Sequence, residues 1–424
     1  MDDVPASTRM VRQASVRVGS LPRRGDIGHP STPALSPMWW IRRPAGPFYL
    51  LLGCTGMLLI LGLTMVLSAS SVNALARYGS PYAVAAKQAT WAAIGLPLGW
   101  VASRLTAKTY RRAAYPILLV ALMLLLLVQV PGMGRQVNGS TNWLALGPIT
   151  IQPSELAKLA LVLWGADLLA RKQTRLTEWR HLVVPLVPVG GLLLGLVLVG
   201  GDLGTSVVIV AILGAMLFLA GAPGRIFAIF GATTLASLLA MIAIEPYRLA
   251  RVTTLFNPSA DPSGAGYQGL QGHYALAGGG WWGVGLGASR EKWGLLPEAH
   301  TDFIFAVIGE ELGLAGTLGI LGAFALLAYA GFRVATDSKD LFVQLAAGTA
   351  TTWLTVQTLV NIGAVIGLVP ITGIPLPLIS YGGSALVLNL VTVGMLISFA
   401  RTNIASAASS GPKRQSPKAR QGGH

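Results

Sequence analysis

Hydrophobic residues in this chain come in long runs, with polar residues confined to the breaks between them. Ten runs are long enough to be read as spans: Phe48 to Ala69, Ala83 to Ala102, Ala113 to Val130, Leu156 to Ala170, Leu182 to Val199, Thr205 to Gly221, Ile226 to Ile244, Phe303 to Phe332, Leu341 to Val369 and Ala385 to Ala400. A hydrocarbon core of about 30 Å takes roughly 20 helical residues to cross. Helices also satisfy their own backbone groups in lipid. The fourth and tenth runs are short, and the eighth and ninth exceed what a bilayer needs, so they tilt or project. The pattern predicts an all-α polytopic membrane protein: ten transmembrane helices with a large extracytoplasmic loop, residues 245–302, between helices 7 and 8.

Composition agrees with this pattern. Hydrophobic residues make up 53% and charged residues 11% of the 424, with a mean hydropathy of +0.62. A soluble surface cannot be built from these proportions. Residues 1–47 read as a disordered basic tail ending in the interfacial Trp39-Trp40-Ile41-Arg42-Arg43, residues 48–401 as one membrane domain, and residues 402–424 as a second disordered tail. The tail is too long and polar for a signal peptide, and the first span reads as a retained signal anchor. The single cysteine, Cys54, excludes an intrachain disulfide or a cysteine-based metal site.

The net charge of +15 settles the orientation. With the N-terminus inside, most of the 31 basic residues fall on inner segments: the N-terminal tail, Arg104 to Arg112, Arg171 to Arg180, Arg225, Arg333 with Lys339, and the C-terminal tail. Both termini are then cytoplasmic, and anionic headgroups account for the charge without nucleic acid.

Polar clusters collect on the opposite side. Gln152-Pro153-Ser154-Glu155-Leu156-Ala157-Lys158 opens a helix, with Glu155 and Lys158 one turn apart. They are either a neutralised pair on a capped helix or the lining of a polar cavity. Asp202, in Gly200-Gly201-Asp202-Leu203, is either the N-cap of span six or a direct participant. The long loop holds Arg248, Arg251, Arg290 and Lys292, cations beside the membrane that suit a substrate with an anionic head and a lipid tail. It also holds the glycine-rich stretch Gly278 to Gly287 with Trp281 and Trp282, readable as a half-buried re-entrant segment. A loop of this length without regular structure is uncommon unless functional.

The loop closes on Leu296-Pro297-Glu298-Ala299-His300-Thr301-Asp302-Phe303. A partly desolvated carboxylate beside aromatic residues can have its pKa raised toward general-base duty, which makes Asp302 the chemical centre. His300, a lone histidine, reads as a structural hydrogen-bonding group rather than a metal ligand. Glu310 and Glu311 lie within the eighth span, where acids are normally paired. Pro370 to Pro377 and Ser380-Tyr381-Gly382-Gly383-Ser384 break the chain before the last span. Irregular backbone there must be buried or line a cavity, and its free N–H groups could hold phosphate.

Three motifs, Gln152 to Lys158, Leu296 to Phe303 continuing into Ile308-Gly309-Glu310-Glu311-Leu312-Gly313, and Pro375-Leu376-Pro377 with Ser380 to Ser384, resemble those of the SEDS family (shape, elongation, division and sporulation). The resemblance covers roughly Phe48 to Arg401. It is closer to the division branch, FtsW, than to the elongation branch, RodA, because of Arg251-Val252-Thr253-Thr254, Asn257-Pro258 and Asp261-Pro262. It implies a peptidoglycan glycosyltransferase of the bacterial plasma membrane, at the division septum. Such an enzyme polymerises lipid II with undecaprenyl diphosphate as leaving group, beside a class B penicillin-binding protein and other division proteins. The family's essential aspartate maps onto Asp302 and its loop tryptophan onto Trp143. Candidate substrate contacts are Trp143, Glu155, Lys158, Arg248, Arg251, Glu298, His300, Ser380, Tyr381 and Ser384, with Asp202, Glu310 and Glu311 in support and a divalent cation, magnesium or manganese, as a candidate cofactor. Two departures stand out: Asn142 replaces the arginine that often precedes the tryptophan, and Gly200-Gly201-Asp202 replaces a Gln/Glu-Pro-Asp turn. A lipid II flippase, an elongation-specific RodA-type polymerase and a non-enzymatic division scaffold are the competing readings, the first because intramembrane ionisable residues and broken helices are also transporter features.

Overall fold

The computed structural model describes residues 43–137, 140–147, 149–175, 179–244, 253–255, 257 and 264–409. Each hydrophobic run coincides with a helix: α1 Gly46–Tyr78, α2 Ala83–Arg104, α3 Ala107–Gln129, α4 Pro153–Arg171, α5 Trp179–Val199, α6 Leu203–Leu219, α7 Gly224–Ile244, α9 Ile304–Asp337, α10 Leu341–Val365 and α11 Ser384–Ser409. By length and composition, four described helices can cross a membrane: α1, α3, α9 and α11. Prolines sit inside α2, α3 and α5, as membrane helices tolerate when neighbours re-satisfy the freed groups.

The architecture departs from the all-α expectation in one place among the described residues. Between α3 and α4 stands a three-stranded antiparallel sheet, β1 Gly134–Val137, β2 Ser140–Leu146 and β3 Ile149–Ile151, in that order. A bulge between Arg135 and Gln136 shifts the register of β1 on β2. The long loop is also not wholly irregular, because Ala265–Gly278 forms a helix, α8. The C-terminal expectation needs a third correction. Residues 402–409 are helical, since the alanine-rich Ala405-Ser406-Ala407-Ala408 prolongs α11 at little propensity cost. The tails at 1–42 and 410–424 lie outside the described residues.

α10 is the centre of the bundle, packed by α4, α6, α9 and α11, with Trp353 fully buried on it. α11 lies along α2, α3 along α4, and α1 against α9 and α2. Small residues permit these approaches. A Cβ on Gly99 would stand 2.8 Å from the Leu390 carbonyl oxygen, and one on Gly62 would stand 2.7 Å from Ile379 Cα. The second contact lets α1 press on the irregular segment between α10 and α11, which carries half of the candidate site.

Candidate active site

Asp302 lies two residues before α9, half-buried. Its main-chain carbonyl accepts a hydrogen bond from Asn361 Nδ2 on α10 at 2.8 Å, and the same amide group donates to the Ile374 carbonyl at 2.7 Å. One turn earlier on α10, Gln357 Nε2 donates to the next carbonyl, Pro375, at 3.0 Å. The two carboxamides, four residues apart on one helix face, thus grip consecutive peptide groups of the 366–383 segment. That segment in turn faces Asp302: a Cβ on Gly373 would be 3.5 Å from Asp302 Oδ2.

The network continues into α4. Gln357 Oε1 accepts from Lys158 Nζ at 2.8 Å and from Trp353 Nε1 at 2.8 Å, and Lys158 Nζ also bonds Glu155 Oε1 at 2.7 Å. Lys158 is fully buried, 4.8 Å above the Trp353 ring. Of the two alternatives for this pair, the geometry favours the neutralised one. An ammonium enclosed in this way has its charge offset by Glu155 and its donors occupied, so it braces α4 against α10. Glu155 Oε2 and Ser154 Oγ are buried without a protein partner.

The segment after α10 carries the remaining candidates. Ser380 Oγ accepts from Leu376 N at 2.8 Å, and the Ser380 carbonyl accepts from Gln88 Nε2 of α2 at 3.1 Å. Tyr381 N donates to the His300 carbonyl at 3.0 Å, and the two rings lie 5.7 Å apart. Ser384 Oγ accepts from Gln152 N at 3.1 Å, while Gln152 Nε2 reaches Asp202 Oδ2 at 3.0 Å. Asp202 caps α6, accepting from Thr205 N at 2.9 Å, so its capping role is met alongside the tie to Gln152. These bonds gather Asp302, His300, Tyr381, Ser380, Ser384, Glu155, Lys158 and Asp202 at one end of the bundle.

Strain marks the same place. Among the described residues only two non-glycines have positive φ: Glu298 at 53° and Leu378 at 65°. They flank the site on its two chain segments, and left-handed backbone at such residues persists only where surroundings impose it. The Glu298 carbonyl accepts from Thr301 N at 3.1 Å and Phe303 N at 3.2 Å, closing a tight turn that presents Asp302. The Glu298 carboxylate bonds Thr301 Oγ1 at 2.7 Å. Burial lowers the pKa of His300; Glu298 opposes this and Arg77 adds to it. His300 Nδ1 is buried without a hydrogen-bond partner. Burial also raises the Tyr381 phenol, which stays neutral.

Glu310 and Glu311 belong to a different assembly. Glu310 accepts from Ser289 Oγ and, at 2.8 Å, from Arg290 N. Glu311 accepts from Ser68 Oγ of α1 at 2.6 Å and pairs with Lys292 Nζ at 3.4 Å. They fasten the 279–296 loop to α9. Trp143 stands on β2 opposite Arg135 of β1, and cross-strand partners share a face. A cation therefore does accompany the tryptophan, from the neighbouring strand. Asn142 is buried, its amide nitrogen donating to the Gly200 carbonyl at 3.0 Å. Arg248 and Arg251 lie outside the described residues. Among the described residues no group of three His, Cys, Asp or Glu side chains could hold a metal ion.

Sequence reasoning missed Gln357, Asn361 and Gln88, and named Gln152 only as part of a motif. Gln357 and Asn361 were visible as two carboxamides at helical spacing in an apolar run, a pattern that in a membrane helix points to a polar partner.

Residues 49–404 match the family model described as cell cycle protein, FtsW/RodA/SpoVE. The probable peptidoglycan glycosyltransferase FtsW of Mycobacterium tuberculosis is 43% identical over 362 residues, 85% of this chain and 69% of that protein. Stage V sporulation protein E of Bacillus subtilis is 38% identical over 85% of this chain and 98% of its own length. Among solved structures, Thermus thermophilus rod shape determining protein RodA superposes with a TM-score of 0.62 at 27% identity, covering 83% of this chain and 96% of that one. A chain from a peptidoglycan synthase complex that coordinates polymerization and crosslinking gives 0.67 at 29% identity, covering 83% and 97%. With the motifs that carry the site inside the matched region, this chain belongs to the FtsW/RodA/SpoVE family of cell cycle proteins.

Proposed function

We propose that this chain is a peptidoglycan glycosyltransferase that polymerises lipid II during septal cell division, with Asp302 as general base. The observation that carries the reading is that Asn361 of α10 and Tyr381 of the 366–383 segment bond the main chain of the turn that presents Asp302, while Gln357 ties the same segment to the buried Lys158–Glu155 pair of α4. It occurs in a chain 43% identical to a protein named for that activity. Ten spans cross the bacterial plasma membrane, with both termini cytoplasmic and the Asp302 end outside. The cavity lined by Lys108, Arg111, Arg112 and Arg171 at the meeting of α3, α4 and α10 supports placing that basic end inside.

The chemistry is an inverting transfer. Asp302 takes the proton of the acceptor sugar's 4-hydroxyl as its oxygen bonds the donor's anomeric carbon. The bond from that carbon to the diphosphate oxygen breaks, and undecaprenyl diphosphate leaves with the electron pair. Stabilising the developing charge on the diphosphate is commonly the largest single contribution. Arg77, whose charge reaches His300, and Arg135 beside Trp143 are the described cations suited to it, with Arg248 and Arg251. Lys158 acts through Gln357 on the 366–383 segment rather than on the substrate. Among the described residues no three His, Cys, Asp or Glu side chains are grouped, and none of these steps needs a metal.

Incubating the purified protein with labelled lipid II, alone and with a class B penicillin-binding protein, tests the proposal. Glycan polymer is expected, with more in the presence of the partner. Asp302→Asn should lose about 10²- to 10⁴-fold in rate. It should stay folded, because the Asn361 bond that fixes the turn is to the main-chain carbonyl at 302, which asparagine keeps, and asparagine matches aspartate in size. Normal polymer from that variant would remove Asp302 from the chemistry.

A further inference from the structure

The 279–296 loop is built into α9. That helix breaks at Gly313, whose φ of 67° is left-handed. The groups freed by the break are taken up by the loop. Leu314 N donates to the Gly280 carbonyl at 2.9 Å and Ala315 N to that of Trp281 at 3.2 Å, while the Glu310 and Glu311 carbonyls accept from Val284 N at 2.9 Å and Gly285 N at 3.1 Å. A Cβ on Gly313 would run into Gly283 N, so glycine is required by both space and conformation. Lys292 fixes the other end of the loop to α1 through Ser68 and to α9 through Glu311.

Two helices independently set the depth of this junction. On α9 the lipid-facing side begins at Leu314 and runs through Leu318 and Leu326 to Arg333, about 30 Å from Gly313 at 1.5 Å per residue. On the antiparallel α1, the stretch from Ser68 back to the exposed Tyr49 is about 28 Å by the same rise. Both match one hydrocarbon thickness, and Ser68 bonds Glu311 at the shared boundary. At this level the loop leaves Trp281, Trp282 and Trp293 exposed by 71%, 82% and 70%. Indole rings concentrate where hydrocarbon gives way to headgroups, burying an apolar body while the N–H stays wet.

We propose that Trp281, Trp282 and Trp293 form an interfacial anchor seated among phospholipid headgroups. It holds the 279–296 loop, and through α9 the Asp302 turn, at a fixed height above the bilayer. The loop is not re-entrant, since its polar backbone is consumed by the α9 break at the boundary rather than below it. The inference needs only that α1 and α9 cross the bilayer and stands apart from the glycosyltransferase reading.

A nitroxide attached to Trp282→Cys in a Cys54→Ala background tests it, in phosphatidylcholine and phosphatidylglycerol vesicles. Trp282 makes little packing contact, so the variant should fold. Collision with oxygen relative to a water-soluble nickel chelate should be several-fold higher than at Ala76→Cys, exposed on α1 about 12 Å beyond Ser68, and lower than at Leu318→Cys. A ratio equal to that at 76, as a water-facing patch awaiting a protein partner would give, overturns the anchor. So does a ratio equal to that at 318, which would place the loop within hydrocarbon.

Discussion

A carboxamide has two hydrogens to donate, and Asn361 directs its Nδ2 at both the Asp302 and Ile374 carbonyls. Removing it leaves two buried acceptors unpaired, each costing about 1–3 kcal/mol. Asn361→Ala should therefore lower the unfolding midpoint and reduce kcat more than it raises KM, because it loosens the turn presenting Asp302 without touching a substrate group. Steady-state kinetics and thermal unfolding in detergent check both outcomes. The buried pair behaves differently. Glu155→Gln strands the Lys158 charge and should cost about 3–5 kcal/mol, much of it recovered in Glu155→Gln/Lys158→Met, where no charge remains to be solvated. His300 supplies a pH dependence. Its folded pKa is lowered from the ordinary 6.5, so below 6.5 the unfolded chain binds the proton more readily than the folded one. Its contribution to stability is complete above 6.5 and is lost as pH falls toward the lowered folded value. Melting curves from about pH 5 to 8 should show this acid limb flattened in His300→Gln.

At the level of elements, the α9 break is where a small substitution should have a local and readable effect. Gly313→Ala forces a side chain into left-handed backbone and against Gly283, so the loop must lift from the helix. Faster amide exchange confined to residues 279–296 and 310–316 is expected, with the rest of the bundle unchanged, by hydrogen exchange and mass spectrometry. The helices themselves were legible because each spans many apolar residues, and tertiary packing moved only their ends. The sheet was not. β1 and β3 have four and three residues, too few to establish a period, and Arg135 and Gln136 stand side by side in β1, so Gly134–Ile151 reads as a polar loop. α8 was hidden because Gly266, Gly269, Gly272 and Gly278 weaken helix propensity, and packing overrides it. A Cβ on Gly272 would lie 2.7 Å from the Phe303 ring, so the glycine that obscures the helix is what seats it beside Asp302. Asp302, Glu155 and Lys158 stood out as charges against an apolar background. Gln357 and Asn361, uncharged and inside a span, did not.

For the molecule as a whole, the two ends of the bundle carry different chemistry. At one end Asp167 is fully buried between Arg111 at 2.8 Å and Arg171 at 2.7 Å, beside Lys108 and Arg112, and Arg401 reaches the Ser103 carbonyl at the end of α2. At the other end the network that closes on Asp302 is built of carboxylates, hydroxyls and carboxamides, and its one lysine is buried and paired with Glu155. Lysine and arginine are held on the cytoplasmic side during insertion, so the basic end should be inside and Asp302 outside. The lone cysteine makes the orientation measurable, because Cys54 is buried and its removal leaves a cysteine-free chain. In a Cys54→Ala background, an impermeant maleimide should label Pro131→Cys in intact cells, and Lys339→Cys only after permeabilisation. The reverse pattern would put Asp302 in the cytoplasm, where a glycan strand growing outside the cell could never reach it. Labelling of Pro131→Cys from outside, with Asp302→Asn inactive but correctly inserted, separates a polymerase from a flippase. A transporter needs its polar groups open to each side in turn, whereas this arrangement requires chemistry at one end only.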